Sequence, residues 1–521
     1  MSQVDVNFQK AVEQGMALAV HAAALPGNVA LVSRFGNRSF SALNQRCNQL
    51  ARLFRSHGIG LDDGVAVVCR NRPEFVETYF ATLRIGARFT PVNWHLTAEE
   101  AGYIIDNCEA KAVVYDTGLA SAEHIFDYAP ECYLRLGAGN VREGFQELNA
   151  VLEEYETSDI EEPVRGSMML YTSGTTGRPK GVYRKQQPVA RSAAQEAAAW
   201  NPLEDRTLCT GPAYHAAPFA FNILAPLNAG VGVVMMDKWD AEETLKLIDE
   251  WGITHTHLVA TMFHRLLQLP VAIRNRYDLS SLKFVLHGAA PCPVHIKQAM
   301  IDWLGPVVYE YYAATEGGGN FFIDSKTWLE KPGSVGRSGT PGITRILDEQ
   351  GNDVPQGETG VIYFKAPEIG RFEYFKTPEK TSESYRDDWF TLGDMGYFDA
   401  EGYLFLNGRS AETIISGGVN IYPQEIDEQL MQHAAVQDVC TVGVPNEEWG
   451  EEVKAVVLLR SGQSRDEDMA EDLMEFARAR LPGFKVPRSI DFIEALPRLP
   501  SGKIQRGLVR APYWKGRGKA I

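Results

Sequence analysis

YTSGTTGRPKG, residues 171–181, decides how this chain of 521 residues is read. It follows the short apolar run 168–170. Its glycines, Gly174 among them, permit backbone conformations that turn amide N–H groups inward. Thr172, Ser173, Thr175 and Thr176 add hydroxyl donors, and Lys180 adds a point charge. Such a loop is built to hold a polyphosphate. It differs from the common nucleotide loop G-x-x-x-x-G-K-[ST], because Pro179 precedes Lys180 and Gly181 follows it. A flexible hydroxyl-rich linker is the bland alternative, and the joint placement of Gly, Thr and Lys makes it the weaker one.

On the N-terminal side the pattern alternates between helix and strand. Leu43, Cys47, Leu50, Leu53 and Phe54 fall at helical spacing within 40–58, and Gly58 stops the run. A short apolar strand at 65–69, a helix at 73–86 and a strand at 111–115 follow. The rhythm continues beyond the loop at 232–236, 241–251, 255–259 and 283–286, which predicts an α/β domain with a largely parallel sheet. After about residue 335 the character changes to short strands with Gly-rich turns, at 339–364 and 402–406. The last hundred residues read as a small α+β unit, with helices at 424–433 and 467–481 and strands near 439 and at 453–459.

Composition bounds the function. Hydrophobic residues make up 45% and charged residues 23%, ordinary for a globular enzyme, and the length calls for at least two domains. With 51 basic and 67 acidic side chains the net charge is −16, so nucleic acid is not an expected partner. Seven scattered cysteines without a C-x-x-C pair argue against disulfides and zinc and fit a reducing cytoplasm. The start MSQVDVNFQK is not a signal peptide, and the most apolar stretch, 218–236, is broken by Asn222, Pro226 and Asn228. No transmembrane segment is expected. Contact with lipid would be peripheral, and homodimerisation is allowed.

Further motifs follow in order: LHGAAP at 286–291, YEYYAATEG at 309–317, LGDMGY at 392–397 with LNGR at 406–409, RSAETIISGGVNIYPQEI at 409–426, and PRLPSGKIQR at 497–506. Together with YTSGTTGRPKG they resemble the adenylate-forming superfamily of acyl-CoA synthetases, firefly-type luciferases and nonribosomal peptide adenylation domains. The resemblance spans nearly the whole chain. It implies an α/β fold: a large N-terminal domain (1–408) of mixed and parallel sheets with helices plus a β-rich subdomain, and a small mobile α+β C-terminal domain (409–521).

The resemblance also implies roles. Thr172, Ser173, Gly174, Thr175, Thr176 and Lys180 would hold the phosphates of ATP, while Gly288, Ala289 and Ala290 would lie against adenine. Tyr311, Tyr312, Ala313 and Thr315 would complete the nucleotide site, with Tyr312 stacking on the base and Thr315 touching phosphate. Glu316 would bind Mg2+, a hard cation that prefers carboxylate oxygen beside phosphates. Asp394 would grip the ribose hydroxyls with Arg409 behind it. Gly417 and Gly418 would line the path of coenzyme A, with Asn420 near the nucleotide. Lys503, Glu316, Thr315 and Lys180 would be catalytic, Lys503 by neutralising charge gathered at the reacting phosphate.

Two departures stand out. Ala313 replaces the usual glycine, and Ala411, followed by Glu412, replaces the usual Asp or Lys of the hinge. His215, in GPAYHAAPFAF, and Ala314 are expected beside the acyl group, whereas His255, His257 and His264 read as structural. The small and apolar residues after His215 suit a bulky hydrophobic acid. By resemblance of GPxxH…AP and of GSVGR at 333–337, that acid would be long-chain, steroid-like or bile-acid-like. The expected function is an ATP-dependent carboxylic acid–CoA ligase. Transfer to a carrier protein, luciferase-like oxidation and a non-catalytic nucleotide-binding role are the alternatives.

Overall fold

A computed structural model describes residues 3–172, 178–185, 192–417, 419–499 and 502–515. Among the described residues two large sheets and a three-stranded one organise the N-terminal part. In the first, Gly64–Val68 pairs in parallel with Arg88–Pro91 on one side and Ala110–Asp116 on the other. Leu134–Ala138, Gln146–Glu147 and Ser167–Met168 complete six parallel strands. The helix Phe40–Ser56 covers this sheet. It starts on Ser39, whose hydroxyl accepts the Ala42 N–H, and it buries Leu43, Cys47, Leu50, Leu53 and Phe54. Pro73–Arg84 packs beside it with proline in its first turn.

Among the described residues the second large sheet has 14 strands. Its parallel half contains Val29–Val32, Gly232–Met235, Arg206–Cys209, His255–Leu258, Phe284–His287 and Val308–Tyr312. Phe321–Ile323 then adds antiparallel to Val308–Tyr312, and Ser334–Ser338 adds antiparallel to Phe321–Ile323. The β-rich region is therefore continuous with the parallel half. It ends in Thr344–Leu347, Gly360–Lys365, Trp389–Phe398 and Leu404–Arg409.

The smaller C-terminal domain has its own sheet. Val436–Asn446 and Gly450–Leu459 form a long hairpin, flanked by Ile414–Ser416 and Ser489–Phe492. Ile414, Ile426, Leu430, Val439, Val453 and Leu473 belong to a separate buried core. Among the described residues no helix is long and apolar enough to cross a membrane. The stretch 218–236 instead supplies a π-helix, Pro218–Leu224, a short helix, Ala225–Asn228, and the strand Gly232–Met235.

Candidate active site

The strands Leu170–Thr172 and Lys180–Tyr183 pair antiparallel, with Lys180 opposite Thr172. The two ends of the glycine- and hydroxyl-rich loop are thus brought together. Ser173, Gly174, Thr175 and Thr176 lie outside the described residues. Lys180 Nζ sits 5.1 Å from the centre of the Tyr374 ring, a cation–π contact. Tyr374 in turn donates its hydroxyl to Glu316 Oε1 at 3.0 Å. Arg184, on the same side, donates to the Thr315 carbonyl at 3.4 Å.

Val308–Tyr312 carries the next group of residues. Tyr311 is buried and Tyr312 is half-buried at its end. Gly288 faces Tyr311 so closely that an added Cβ would lie 2.5 Å from Tyr311 Cε1, which only glycine permits. Ala289 follows in the left-handed region at φ 63°, a strained conformation for a residue with a Cβ, and Ala290 continues the loop. Ala313 is exposed and Ala314 half-buried in the turn before Glu316.

Asp394 and Arg409 meet across neighbouring antiparallel strands. Arg409 Nε donates to Asp394 Oδ1 at 3.0 Å, and the Tyr312 hydroxyl donates to Oδ2 at 2.7 Å. Burial and the Asp394 charge hold the Tyr312 phenol well above its ordinary range, so it stays a neutral donor. Lys503 reaches this same place from the C-terminal domain. It is half-buried beside Arg409, Glu412 and Asp394, and desolvation followed by the Arg409 charge lowers its pKa from the ordinary 10.5. Its turn packs on the N-terminal domain: Gly502 has φ +85°, and a Cβ there would lie 2.5 Å from Thr261 Oγ1.

The structure does not bring every expected residue to this centre. Gly417 and Asn420 are exposed on the hairpin formed by Ile414–Ser416 and Val419–Ile421, with Gly417 against the ring of Trp449. Gly418 lies outside the described residues. Ala411 occupies a short turn, Ser410–Glu412, where the neighbouring Glu412 pairs with Arg506 at 3.1 Å. Arg506 also reaches Asp427 at 2.8 Å, tying that turn into the C-terminal domain.

His215 lies just before the π-helix Pro218–Leu224, its Nε2 buried without a partner among the described residues. Burial, then the nearby His95, pushes its pKa down to about 4, so the ring is neutral at physiological pH. His255 has both ring nitrogens occupied, by Thr254 Oγ1 and the Ala198 carbonyl, each at 2.7 Å. His257 is buried, and no group of three or more His, Cys, Asp or Glu side chains able to hold a metal occurs among the described residues.

Tyr374 and Arg184 escape sequence reading. Tyr374 sits in a two-residue strand, Glu373–Tyr374, that joins Lys180–Tyr183 only through tertiary pairing. Nothing local in the sequence marks it.

The chain matches the family model for the AMP-binding enzyme over residues 18–372 and that for the AMP-binding enzyme C-terminal domain over 425–503. It is 33% identical over 483 residues to a feruloyl-CoA synthase from an Amycolatopsis species, covering 91% of this chain and 94% of that protein. It is 29% identical over 486 residues to a long-chain-fatty-acid–CoA ligase from Mycobacterium tuberculosis, covering 91% and 93%. Among solved structures, ATP-bound MatB from Rhodopseudomonas palustris superposes with a TM-score of 0.81 at 26% identity, over 97% of this chain and all of that one. Family models matching both parts of the chain, and a centre where a tyrosine and an arginine hold one aspartate with a lysine from a distant segment near the pair, lead to the same place: the chain belongs to the AMP-binding enzyme family of adenylate-forming enzymes and is an acyl-CoA synthetase of the AMP-forming type.

Proposed function

We propose that the protein joins a hydrophobic carboxylic acid to coenzyme A in two steps at one site. In the first, a carboxylate oxygen attacks the α-phosphorus of ATP; a P–O bond forms to the acid, and the bond to pyrophosphate breaks. In the second, the thiol of coenzyme A attacks the acyl carbon, AMP leaves, and the thiol proton passes to solvent. One observation carries this reading: Lys503 lies beside the Asp394–Arg409 pair, so a cation from the C-terminal domain stands next to a ribose clamp.

In this reading the Asp394 carboxylate accepts the ribose hydroxyls, while Arg409 and Tyr312 fix its two oxygens. The Tyr312 ring and the narrow Gly288–Ala290 loop flank adenine. Thr172, Lys180 and the loop between them grip the phosphates, with Thr315 completing the contact. Lys503 offsets the negative charge that grows at phosphorus in the transition state. Glu316 suits Mg2+: one carboxylate oxygen is oriented by Tyr374 and the other is free of protein partners among the described residues. When bound, the metal would neutralise phosphate charge, with phosphates and water as its remaining ligands.

We assign the boundary between the working domains to 408–409, next to the short turn Ser410–Glu412. Rotation there would withdraw Lys503 and turn the exposed Gly417 and Asn420 inward for the thiol step. His215 and Ala314 border the acyl group. Relatives named for feruloyl and for long-chain fatty acids leave both acid classes in view. The long-chain and steroid-like acids suggested by the motifs suit the small and apolar residues that follow His215.

The deciding experiment mixes enzyme, ATP, Mg2+ and a panel of aromatic, fatty and steroidal acids, with and without coenzyme A. Pyrophosphate release with a thioester mass only in the presence of coenzyme A supports the reading. Pyrophosphate release with an acyl-AMP that never moves to coenzyme A would point instead to a carrier-protein acceptor. Absence of pyrophosphate release with every acid would remove the catalytic reading.

A further inference from the structure

The strand Lys180–Tyr183 presents alternate side chains to opposite sides, and its contacts show which side each one takes. Tyr183 packs on Phe375, with ring centres 5.7 Å apart, and lies under Arg88. Lys180 turns the other way, onto Tyr374, which stands opposite Val182 in the neighbouring strand. Arg184 follows the strand directly, two residues past Val182, and continues this second side by reaching the Thr315 carbonyl. Thr172, opposite Lys180, faces the same way. One side of the small sheet therefore carries a hydroxyl and two cations, with the tyrosine that holds Glu316 between the cations. Four residues of extended chain set the Cα atoms of Lys180 and Arg184 about 13 Å apart, on either side of Tyr374.

Arg184 is poorly satisfied where it stands. Among the described residues its half-buried guanidinium makes one hydrogen bond, from Nη2 to the Thr315 carbonyl at 3.4 Å, which is long for an N–H donor. A guanidinium offers five N–H donors in a planar fork. No carboxylate lies at ion-pair distance from it among the described residues, and the adjoining stretches 173–177 and 186–191 contain no acidic residue. Glu316 acts on it only through space, with one oxygen of that carboxylate bonded to Tyr374. Burial pushes the Arg184 pKa down, as expected of a cation drawn out of water without a bonded counterion. Gly317 leaves room for this approach, because a Cβ there would lie 2.5 Å from Arg184 Nη2.

We propose that Arg184 is a phosphate-binding residue, its guanidinium taking non-bridging oxygens of the pyrophosphate half of ATP across from Lys180. This role rests on the ligase reading and adds a residue to it. The charges acting on Arg184 are Tyr385 and Glu316, whereas those acting on Lys503 begin with Arg409, Glu412 and Asp394. The arginine thus belongs to the Glu316 side of the site and the lysine to the ribose side. A planar fork matches two phosphate oxygens at once. When the carboxylate of the acid attacks, the bond from the α-phosphorus to the bridging oxygen breaks, and its electron pair stays on pyrophosphate. A cation at that position stabilises the departing group as well as the bound nucleotide.

The test compares the full wild-type chain with Arg184→Met and Arg184→Lys. Calorimetry in Mg2+ buffer measures binding of pyrophosphate and, separately, of AMP; pyrophosphate release measures kcat/KM for ATP. In Arg184→Met the affinity for pyrophosphate and kcat/KM for ATP are each expected to fall about tenfold or more, as for loss of a charge-assisted hydrogen bond, with AMP affinity held within about twofold. Arg184→Lys keeps the charge without the fork and is expected to fall between the two. Unchanged pyrophosphate affinity in Arg184→Met overturns the inference. So does an equal loss for pyrophosphate and AMP, the result of a merely structural role in the Thr315–Gly317 turn. If Arg184→Met does not fold, Arg184→Lys is judged by the same criterion: a loss confined to pyrophosphate supports the role, and no loss overturns it. A wild type that binds pyrophosphate but activates no acid overturns the ligase reading, while the binding measurements still judge Arg184. A wild type that binds neither ligand overturns both.

Discussion

Tyr374 donates its hydroxyl to Glu316 Oε1 across 3.0 Å although 58 residues separate them. The same ring carries Lys180 Nζ on its face, so one side chain holds a carboxylate and a cation beside the end of the glycine- and hydroxyl-rich loop. Tyr374→Phe keeps the ring and removes only the bond to the carboxylate. The expected outcome is an apparent Mg2+ and ATP requirement raised about threefold to tenfold, the worth of one hydrogen bond, with thermal stability little changed. Titrating pyrophosphate release against MgCl2 at fixed ATP checks it.

Lys503→Ala removes the cation beside Asp394 and Arg409. Adenylation is expected to fall about a hundredfold to a thousandfold, in line with loss of a preorganised electrostatic contact. Thioester formation from a synthetic acyl-AMP should fall far less, because that step does not gather charge at phosphorus. Equal loss in both half-reactions would contradict the assignment.

Gly502 occupies the left-handed region and abuts Thr261. Gly502→Ala introduces a methyl group where the turn meets the N-terminal domain. It should slow adenylation at least fivefold, as even a mild strain of about 1 kcal/mol is added to the orientation that positions Lys503. The melting temperature of the chain should move little, since the contact is made at a surface between domains rather than within a core.

Two pH effects arise from the shifted groups. A lysine whose pKa lies below 10.5 loses its charge earlier as pH rises, so adenylation should decline on the alkaline side before an ordinary lysine would titrate. His215 acts at the other end. Its folded pKa of about 4 lies below the unfolded 6.5, so between these values the unfolded chain binds more protons and stability falls as pH drops. The fall from 6.5 to about 4 corresponds to roughly 3 kcal/mol, lost progressively across that window. Chemical denaturation at a series of pH values measures it, and His215→Gln should flatten the slope.

The helical period was legible in some of the runs that bury one face, though not at Ala98–Asn107 or Ala260–Leu267. The run ending at Gly58 is the helix Phe40–Ser56, and the run 241–251 is the helix Ala241–Trp251. In the C-terminal domain the strand pattern near 439 and at 453–459 belongs to a hairpin several residues longer, because paired backbone extends Val436–Asn446 and Gly450–Leu459 past their apolar cores. Motif residues at the centre were legible because their spacing is local: Asp394, Arg409 and Tyr312 each sit in a recognisable segment. The resemblance implied Arg409 behind Asp394, but not the bond from Tyr312 to Asp394, since the folding of the sheet decides it. Tyr374 and Arg184 were invisible for the same reason.

Arg409 is the last residue of its strand, and the turn that leads into the smaller domain begins at the very next position. On the proposed reading, the side chain holding the sugar-facing carboxylate is also the anchor of the swinging part. Reorientation beyond it would then tug on the grip around the nucleotide, so that departure of spent AMP and return of the lysine would become two faces of a single mechanical event.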